Sequence, residues 1–186
     1  ILKETNALLE GHFILSSGLH SNQYIQCAKL LSHPEKANIV SKSLSEKIVE
    51  SFKNIDLILS PAIGGIVIGY EIGRQLNIET IFAERFNDKL ILRRDFQISP
   101  DSNVLIVEDV ITTGKSVLEC AEIVKLNKAN LLGYACIIDR SNNSSLIKSN
   151  ILSQIKLEIE TFEPNKLPEY LKKIKAIKPG SRELSK

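Results

Sequence analysis

Cysteine is scarce in this chain. Cys27, Cys120 and Cys136 are the only three, they lie far apart, and none forms a CxxC pair. An odd number without metal-ligand spacing excludes a zinc ribbon or a disulfide framework and reads as buried free thiols in a reducing compartment. Long apolar runs are missing as well. No stretch approaches the roughly 20 residues that span a bilayer, and the opening ILKETNALLEGHF lacks a signal-peptide pattern, so a cytoplasmic protein is expected. Charge of one sign is also absent. A formal net charge of +2 gives no electrostatic reason to expect nucleic acid or a membrane surface as partner. Internal repeats and low-complexity tracts are not found. What remains is globular composition, 43% hydrophobic and 25% charged over 186 residues, enough for one domain with one sizeable core.

The order of apolar patterns gives the fold class. ILKETNALLE reads as a short amphipathic helix carrying Ile1, Leu2, Leu8 and Leu9. GHFILSSGLHSNQYIQCAKLL alternates about Gly11 and Gly18, as a strand, a turn and a second strand do. Pro34 opens a helix to about Lys53, with Ile39, Val40, Leu44, Ile48, Val49 and Phe52 at helical spacing. A β/α alternation follows. Strands are expected at Ile55–Ser60, Glu79–Arg85, NVLIVED, Leu131–Asp139 and KLEIETF, and helices at Ile66–Leu76, Lys115–Leu126 and LPEYLKKI, with LILRR as a possible hairpin strand. Strands in alternation with helices imply an α/β fold with a largely parallel central sheet flanked by helices. Ligands of such sheets bind at the carboxyl ends of the strands, so the places to search begin at Ser60, Glu84, Glu108 and Asp139.

One of those ends is VLIVEDVITTGKS, Val104 to Ser116. Its Gly-Lys-Ser ending suggests a nucleotide-binding P-loop. That loop, however, needs glycine five positions before Gly114, where this chain has Asp109. A carboxylate there would repel the phosphates of a nucleoside triphosphate, which rejects a P-loop kinase. The segment makes sense in another way. Thr112, Thr113 and Ser116 supply hydroxyls, and the backbone amides of Thr112 to Ser116 open a helix whose Val117, Leu118, Ala121 and Val124 face the sheet. Such a helix start attracts a phosphate monoester. Glu108 and Asp109 are acceptors for vicinal sugar hydroxyls, so the whole describes a ribose 5-phosphate cradle. The plainer alternative is an acidic strand end followed by an ordinary helix cap.

VLIVEDVITTGKS resembles the phosphoribosyl pyrophosphate (PRPP) motif of type I phosphoribosyltransferases: apolar strand residues, two acids, then a loop of hydroxyls and glycine. GHFILSSGLHSNQYIQ (Gly11–Gln26) is similar to the N-terminal signature of the orotate phosphoribosyltransferases among them, through Gly11, Phe13, Leu15, Ser17, Gly18, Ser21 and Tyr24. Ser16 stands where many relatives have a lysine. His20 lies beside the signature, as a turn residue or a ligand contact. Ser60–Ile66 resembles the pyrophosphate loop, which in this superfamily often holds a non-proline cis peptide. Ile138–Arg140 resembles the site where an arginine meets orotate, and Ala176–Arg182 the ending of short bacterial members.

The resemblance implies the type I phosphoribosyltransferase fold in one domain over residues 1–186, with a small N-terminal hood at about 1–31, a core at about 32–186 and a flexible hairpin loop. It implies transfer from PRPP to orotate, giving orotidine 5′-monophosphate in UMP synthesis. PRPP is to be held by Glu108, Asp109, Val110, Ile111, Thr112, Thr113, Gly114, Lys115 and Ser116, by Ala62, Ile63 and Gly64, and by Arg85 and Lys89. Orotate falls to Thr112, Arg140, Tyr24 and Ser17. Lys89, Arg85 and Asp109 are the catalytic candidates. Mg2+ comes with PRPP and has no direct protein ligand. The basic segment Glu84–Arg94, with Arg93 and Arg94, lacks the K-x-x-K-x-H pattern of its relatives and has Phe86 at one of their lysine positions. In orotate enzymes it closes over the neighbouring subunit, which implies a homodimer. Two other functions share the PRPP loop: a purine phosphoribosyltransferase and a PRPP-sensing regulator. The first should lack the Gly11–Tyr24 signature, and the second should add a DNA-binding segment, which the sequence does not display.

Overall fold

The computed structural model describes residues 1–15, 17–141, 145–149 and 151–179. Ser16, and residues 180–182 of the tail resemblance, lie outside them. In chain order the elements are β1 (Leu8–Ile14), β2 (His20–Ile25), α1 (Cys27–Leu31), α2 (Pro34–Ser51), β3 (Leu57–Pro61), α3 (Gly64–Leu76), β4 (Glu79–Phe86), β5 (Lys89–Leu92), β6 (Asn103–Ile111), α4 (Lys115–Leu126), β7 (Asn130–Asp139), β8 (Ile151–Lys156), β9 (Thr161–Phe162) and α5 (Glu169–Lys172). They form two compact units, one of Ile1–His33 with the described residues from Glu158 on, the other of Pro34–Leu157.

The second unit is the α/β body. Its six-stranded sheet runs β5-β4-β3-β6-β7-β8. Every pairing is parallel except β4 with β5. The parallel centre is apolar on both faces, as helices above and below require. All of β3 is buried, and so are Val104 to Glu108 of β6 and Tyr134 to Asp139 of β7. Alternate residues serve opposite faces. Leu57, Leu59, Val104 and Ile106 join Val117, Cys120, Ile123 and Val124 of α4 in one core cluster. Ile58, Leu105, Ile68 and Ile72 are fully buried as well. α4 turns slightly from the expected face, with Cys120 and Ile123 buried and Leu118 and Ala121 only partly so. On α2, Ile39 and Val49 are exposed while Ala37, Ser41 and Ser45 are buried, so the inward face takes small residues in place of two of the expected apolar ones. β8 was not expected from the sequence. KLEIETF is not one strand: Lys156 ends β8, and Thr161–Phe162 form β9 in the other unit. All three cysteines are free and buried, and burial pushes the Cys120 and Cys136 thiols up, away from the reactive thiolate.

The first unit holds the sheet β1-β2-β9, with both pairings antiparallel. The expected N-terminal helix is a single turn. The Thr5 amide donates to the Ile1 carbonyl, Asn6 then takes a left-handed φ of 53°, and Leu8 and Leu9 enter β1. CAKLL, read as the end of a strand, is helix α1. Several signature residues serve this unit's own structure. Phe13 is buried, its ring 5.8 Å from that of Tyr24; Gly18 makes the turn at φ 82°; and the Ser21 hydroxyl donates to the Glu160 carbonyl over 2.8 Å. His20 is half-buried. The buried His12 keeps its proton on Nδ1 to donate to Ile174 O at 2.9 Å, so its Nε2 accepts from His20 Nδ1–H at 2.5 Å.

Candidate functional site

Two neighbouring strands of the second unit, β3 and β6, deliver the two loops that the sequence singles out. After β3 the chain turns through Ala62–Ile63, a cis peptide as the resemblance suggests, and α3 starts at Gly64. After β6 come Thr112, Thr113 and Gly114, and α4 starts at Lys115. β4 lies on one side of β3 and β6 on the other, so the chain changes direction across the sheet here, at the switch point where open α/β sheets bind ligands.

The loops touch at their glycines. A methyl group on Gly64 would lie 2.8 Å from Asp109 Oδ1, and one on Gly65 would lie 3.0 Å from Glu108 Oε1. The backbone that opens α3 therefore runs directly against the acid pair near the end of β6. Glu108 is 8% exposed. Burial, then the neighbouring Asp109 charge, push its carboxyl up to about 9. Asp109 is also raised, first by burial, while the Val110 amide, donating to its Oδ1 at 2.8 Å, works against that rise. Of the pair, Glu108 keeps its proton to the higher pH, and Asp109 ionises first.

This has a consequence for stability. An unfolded glutamate titrates near 4.3, so between roughly pH 4.3 and 9 the folded chain binds a proton the unfolded chain has lost, and stability falls as pH rises through that window. Glu108→Gln has no such proton. Without ligand, its melting temperature should exceed wild type by roughly 5 °C or more at pH 9 and converge toward it near pH 5. Parallel melting curves across that range would contradict the buried, protonated Glu108.

The residues assigned to the phosphate stand at the start of α4. Gly114 brings no side chain to cap α4, the Lys115 amide donates to the Thr113 hydroxyl at 3.4 Å, and Thr112 and Thr113 are exposed. Gly114 has φ 83°, a left-handed value that costs other residues about 1–2 kcal/mol. Behind it stands a wall the sequence did not reveal. The Leu146 amide donates to the Thr113 carbonyl at 3.0 Å, and a methyl group on Gly114 would meet Ile147 Cγ1 at 2.6 Å. The polar run around these residues gives no periodicity that could have located it. The Arg140 amide donates to Ile111 O at 2.8 Å, which sets Arg140 beside the end of β6. Tyr24 and Ser17 belong to the first unit.

The basic segment is a hairpin of β4 and β5. Asn87 and Asp88, with φ of 46° and 63°, make a two-residue turn of the type that matches strand twist. Arg85 pairs with Leu90, and Phe86 with Lys89, so these two pairs lie on opposite faces. The Leu90 face packs on α4, and Arg85 meets Glu119 of α4 at 3.0 Å. Lys89 projects from the other face, beside the exposed Phe86. Glu84 holds Arg94 at 2.7 Å and Arg93 at 3.7 Å, and these arginines draw the Glu84 carboxyl below its usual range. Lys89 has no ion pair among the described residues, in contrast to the three arginines. Glu119 is a functional candidate that sequence reasoning missed, because an acid inside a helix carries no signal of its partner.

No cluster of three or more His, Cys, Asp or Glu able to cage a metal occurs among the described residues, and no described helix is long and apolar enough to cross a membrane. The phosphoribosyl transferase domain family matches residues 28–171. The chain is 45% identical over 185 residues to the orotate phosphoribosyltransferase of Chlorobium phaeobacteroides, covering 100% of this chain and 95% of that one. It is 46% identical over 182 residues to the orotate phosphoribosyltransferase of Caldicellulosiruptor bescii, covering 98% and 95%. In structure it is similar to the orotate phosphoribosyltransferase of Aeropyrum pernix, with a TM-score of 0.74 at 22% identity, covering 84% of this chain and 91% of that one.

Proposed function

The chain belongs to the phosphoribosyl transferase family, and on that premise we propose that it transfers the 5-phosphoribosyl group of PRPP to orotate, releasing pyrophosphate. The product, orotidine 5′-monophosphate, leads to UMP. One observation carries the reading beyond the family match: Gly64 and Gly65, which open α3 after the β3 loop, lie against Glu108 and Asp109 near the end of β6. A diphosphate at the first loop and a ribose at the second are then neighbours, as they are in PRPP.

Each group has a task. The amides and hydroxyls of Thr112, Thr113, Gly114, Lys115 and Ser116 take the 5′-phosphate, with Val110 and Ile111 leading the strand into that loop. Asp109 accepts hydrogen bonds from the ribose hydroxyls, and Glu108 donates or accepts according to its proton. Asp109 stabilises the positive charge that develops on the ring as the C1–oxygen bond breaks ahead of the new C1–nitrogen bond. Ala62, Ile63 and Gly64 present backbone to the departing pyrophosphate, and Arg85 and Lys89 add cationic charge. Arg140 and Thr112 hold orotate in the second unit. Mg2+ supplies neutralisation of the diphosphate charge, and it arrives with PRPP. Mg2+ keeps much of its water and is held chiefly by the phosphates of its substrate, which fits a site with no cluster of three or more carboxylates, histidines or cysteines among the described residues.

The working form in this reading is a cytoplasmic homodimer in which Lys89 acts on the neighbouring subunit. Its support is the hairpin itself, whose Lys89 face is turned from the face packed on its own α4. The loss of orotate absorbance with PRPP and Mg2+ tests the activity. Turnover with a purine but not orotate favours a purine phosphoribosyltransferase, and PRPP binding without turnover of any base favours a regulator.

A further inference from the structure

Glu119 has no part in the reaction as assigned so far, yet its carboxylate holds both strands of the hairpin. Oε2 accepts the Leu90 amide of β5 at 3.1 Å and lies 3.0 Å from Arg85 Nη1 of β4, while Oε1 lies 3.4 Å from the same nitrogen. Arg85 Nη1 also donates to Asp88 O at 2.7 Å, within the turn that precedes Lys89. A continuous path of hydrogen bonds therefore runs from α4 through Arg85 to the hairpin tip. Leu90 lies on the edge strand, whose outward amides have no neighbouring strand to receive them, and Glu119 receives this one. The Glu119 side chain is 24% exposed, so water screens the contact only in part.

The start of α4, little more than one turn before Glu119, is the proposed phosphate cradle. Gly114 precedes the helix and Glu119 follows by five residues, about 7 Å of rigid helix. We infer that Glu119 is a positioning residue, fixing the direction of the β4–β5 hairpin, and with it Lys89, relative to α4 and the body that carries it. The inference rests on the activity proposed above. A misplacement of about 1 Å can cost roughly 100-fold in rate, so a tether of this kind is felt in turnover more than in substrate binding.

Three readouts on purified full-length protein test it: steady-state kinetics with PRPP and orotate, amide hydrogen exchange without ligand, and thermal unfolding. Glu119→Ala should lower kcat about 10-fold or more, with KM for PRPP within about 3-fold, and should speed exchange at residues 84–92 while β3, β6 and β7 keep their protection. Glu119→Gln keeps an acceptor for the Leu90 amide and loses the charge facing Arg85, so it should fall between, and it serves if the alanine variant fails to fold. Unchanged hairpin exchange, unchanged kcat, or loosening spread evenly over the sheet would overturn the inference. A wild type that turns over no base overturns the activity reading instead, and hairpin exchange then decides the tether alone.

Discussion

Asp109→Asn should lower kcat/KM for PRPP by about 100-fold or more, while Glu108→Gln, one residue away, should change it by less than about 5-fold. The two acids are adjacent at the end of one strand, and sequence alone treats them as equals. Their surroundings separate them. Glu108 is buried and keeps its proton to the higher pH, so an amide of the same shape replaces a group that is already neutral near pH 7. Asp109 is the first of the two to ionise and lies nearest the pyrophosphate loop at Gly64. Losing that charge removes an acceptor for ribose hydroxyls and the countercharge for the developing cation. Hydrogen bonds to a charged group contribute about 1.5–3 kcal/mol each, and two of them suffice for the expected loss. Steady-state kinetics at pH 7 decide the matter. Equal losses in both variants would mean that both carboxylates are ionised when PRPP is bound.

The second large effect concerns Lys89. Lys89→Ala should lower kcat about 100-fold with little change in melting temperature, because the side chain projects from an exposed face with no ion pair to lose. The sharper measurement mixes two inactive proteins, Lys89→Ala and Asp109→Asn, under conditions of subunit exchange. If Lys89 serves the neighbouring subunit, half of the dimers are mixed and one site in each has both groups, so activity recovers to about one quarter of wild type. If Lys89 serves its own subunit, every site lacks one group and nothing recovers. A large stability loss in Lys89→Ala would instead assign it to the hairpin's structure.

The parts of this molecule legible in the sequence are those set by local chemistry. VLIVEDVITTGKS declared a buried strand, an acidic end and a helix start, and all three stand where expected, because a strand covered on both faces must be apolar throughout. The helix Lys115–Leu126 was readable to the residue. Errors fall where tertiary contacts override local pattern. ILKETNALLE has helical spacing, but Asn6 turns left-handed and Leu8 and Leu9 pair with Ile25 and Tyr24 across β2. KLEIETF alternates as a strand does, yet its two ends pair with different sheets. Lys89 and Asp109 were visible as chemistry, whereas Glu119, Leu146 and Ile147 were not. Their importance comes only from what lies opposite them in space.

The adjacency of β3 and β6 bears on how the protein acquires its chemistry. These strands are separated in the chain by α3 and the β4–β5 hairpin, so neither loop meets its counterpart until that long intervening segment has folded back. Closing such a span costs entropy before any contact rewards it, and pairings of this kind are among the slow events of folding. Half of the sheet can form without creating any affinity for substrate. Capacity to bind PRPP is therefore a property of the finished body alone, and in a nascent or partly unfolded population the substrate draws molecules toward the native state while offering nothing to the fragments.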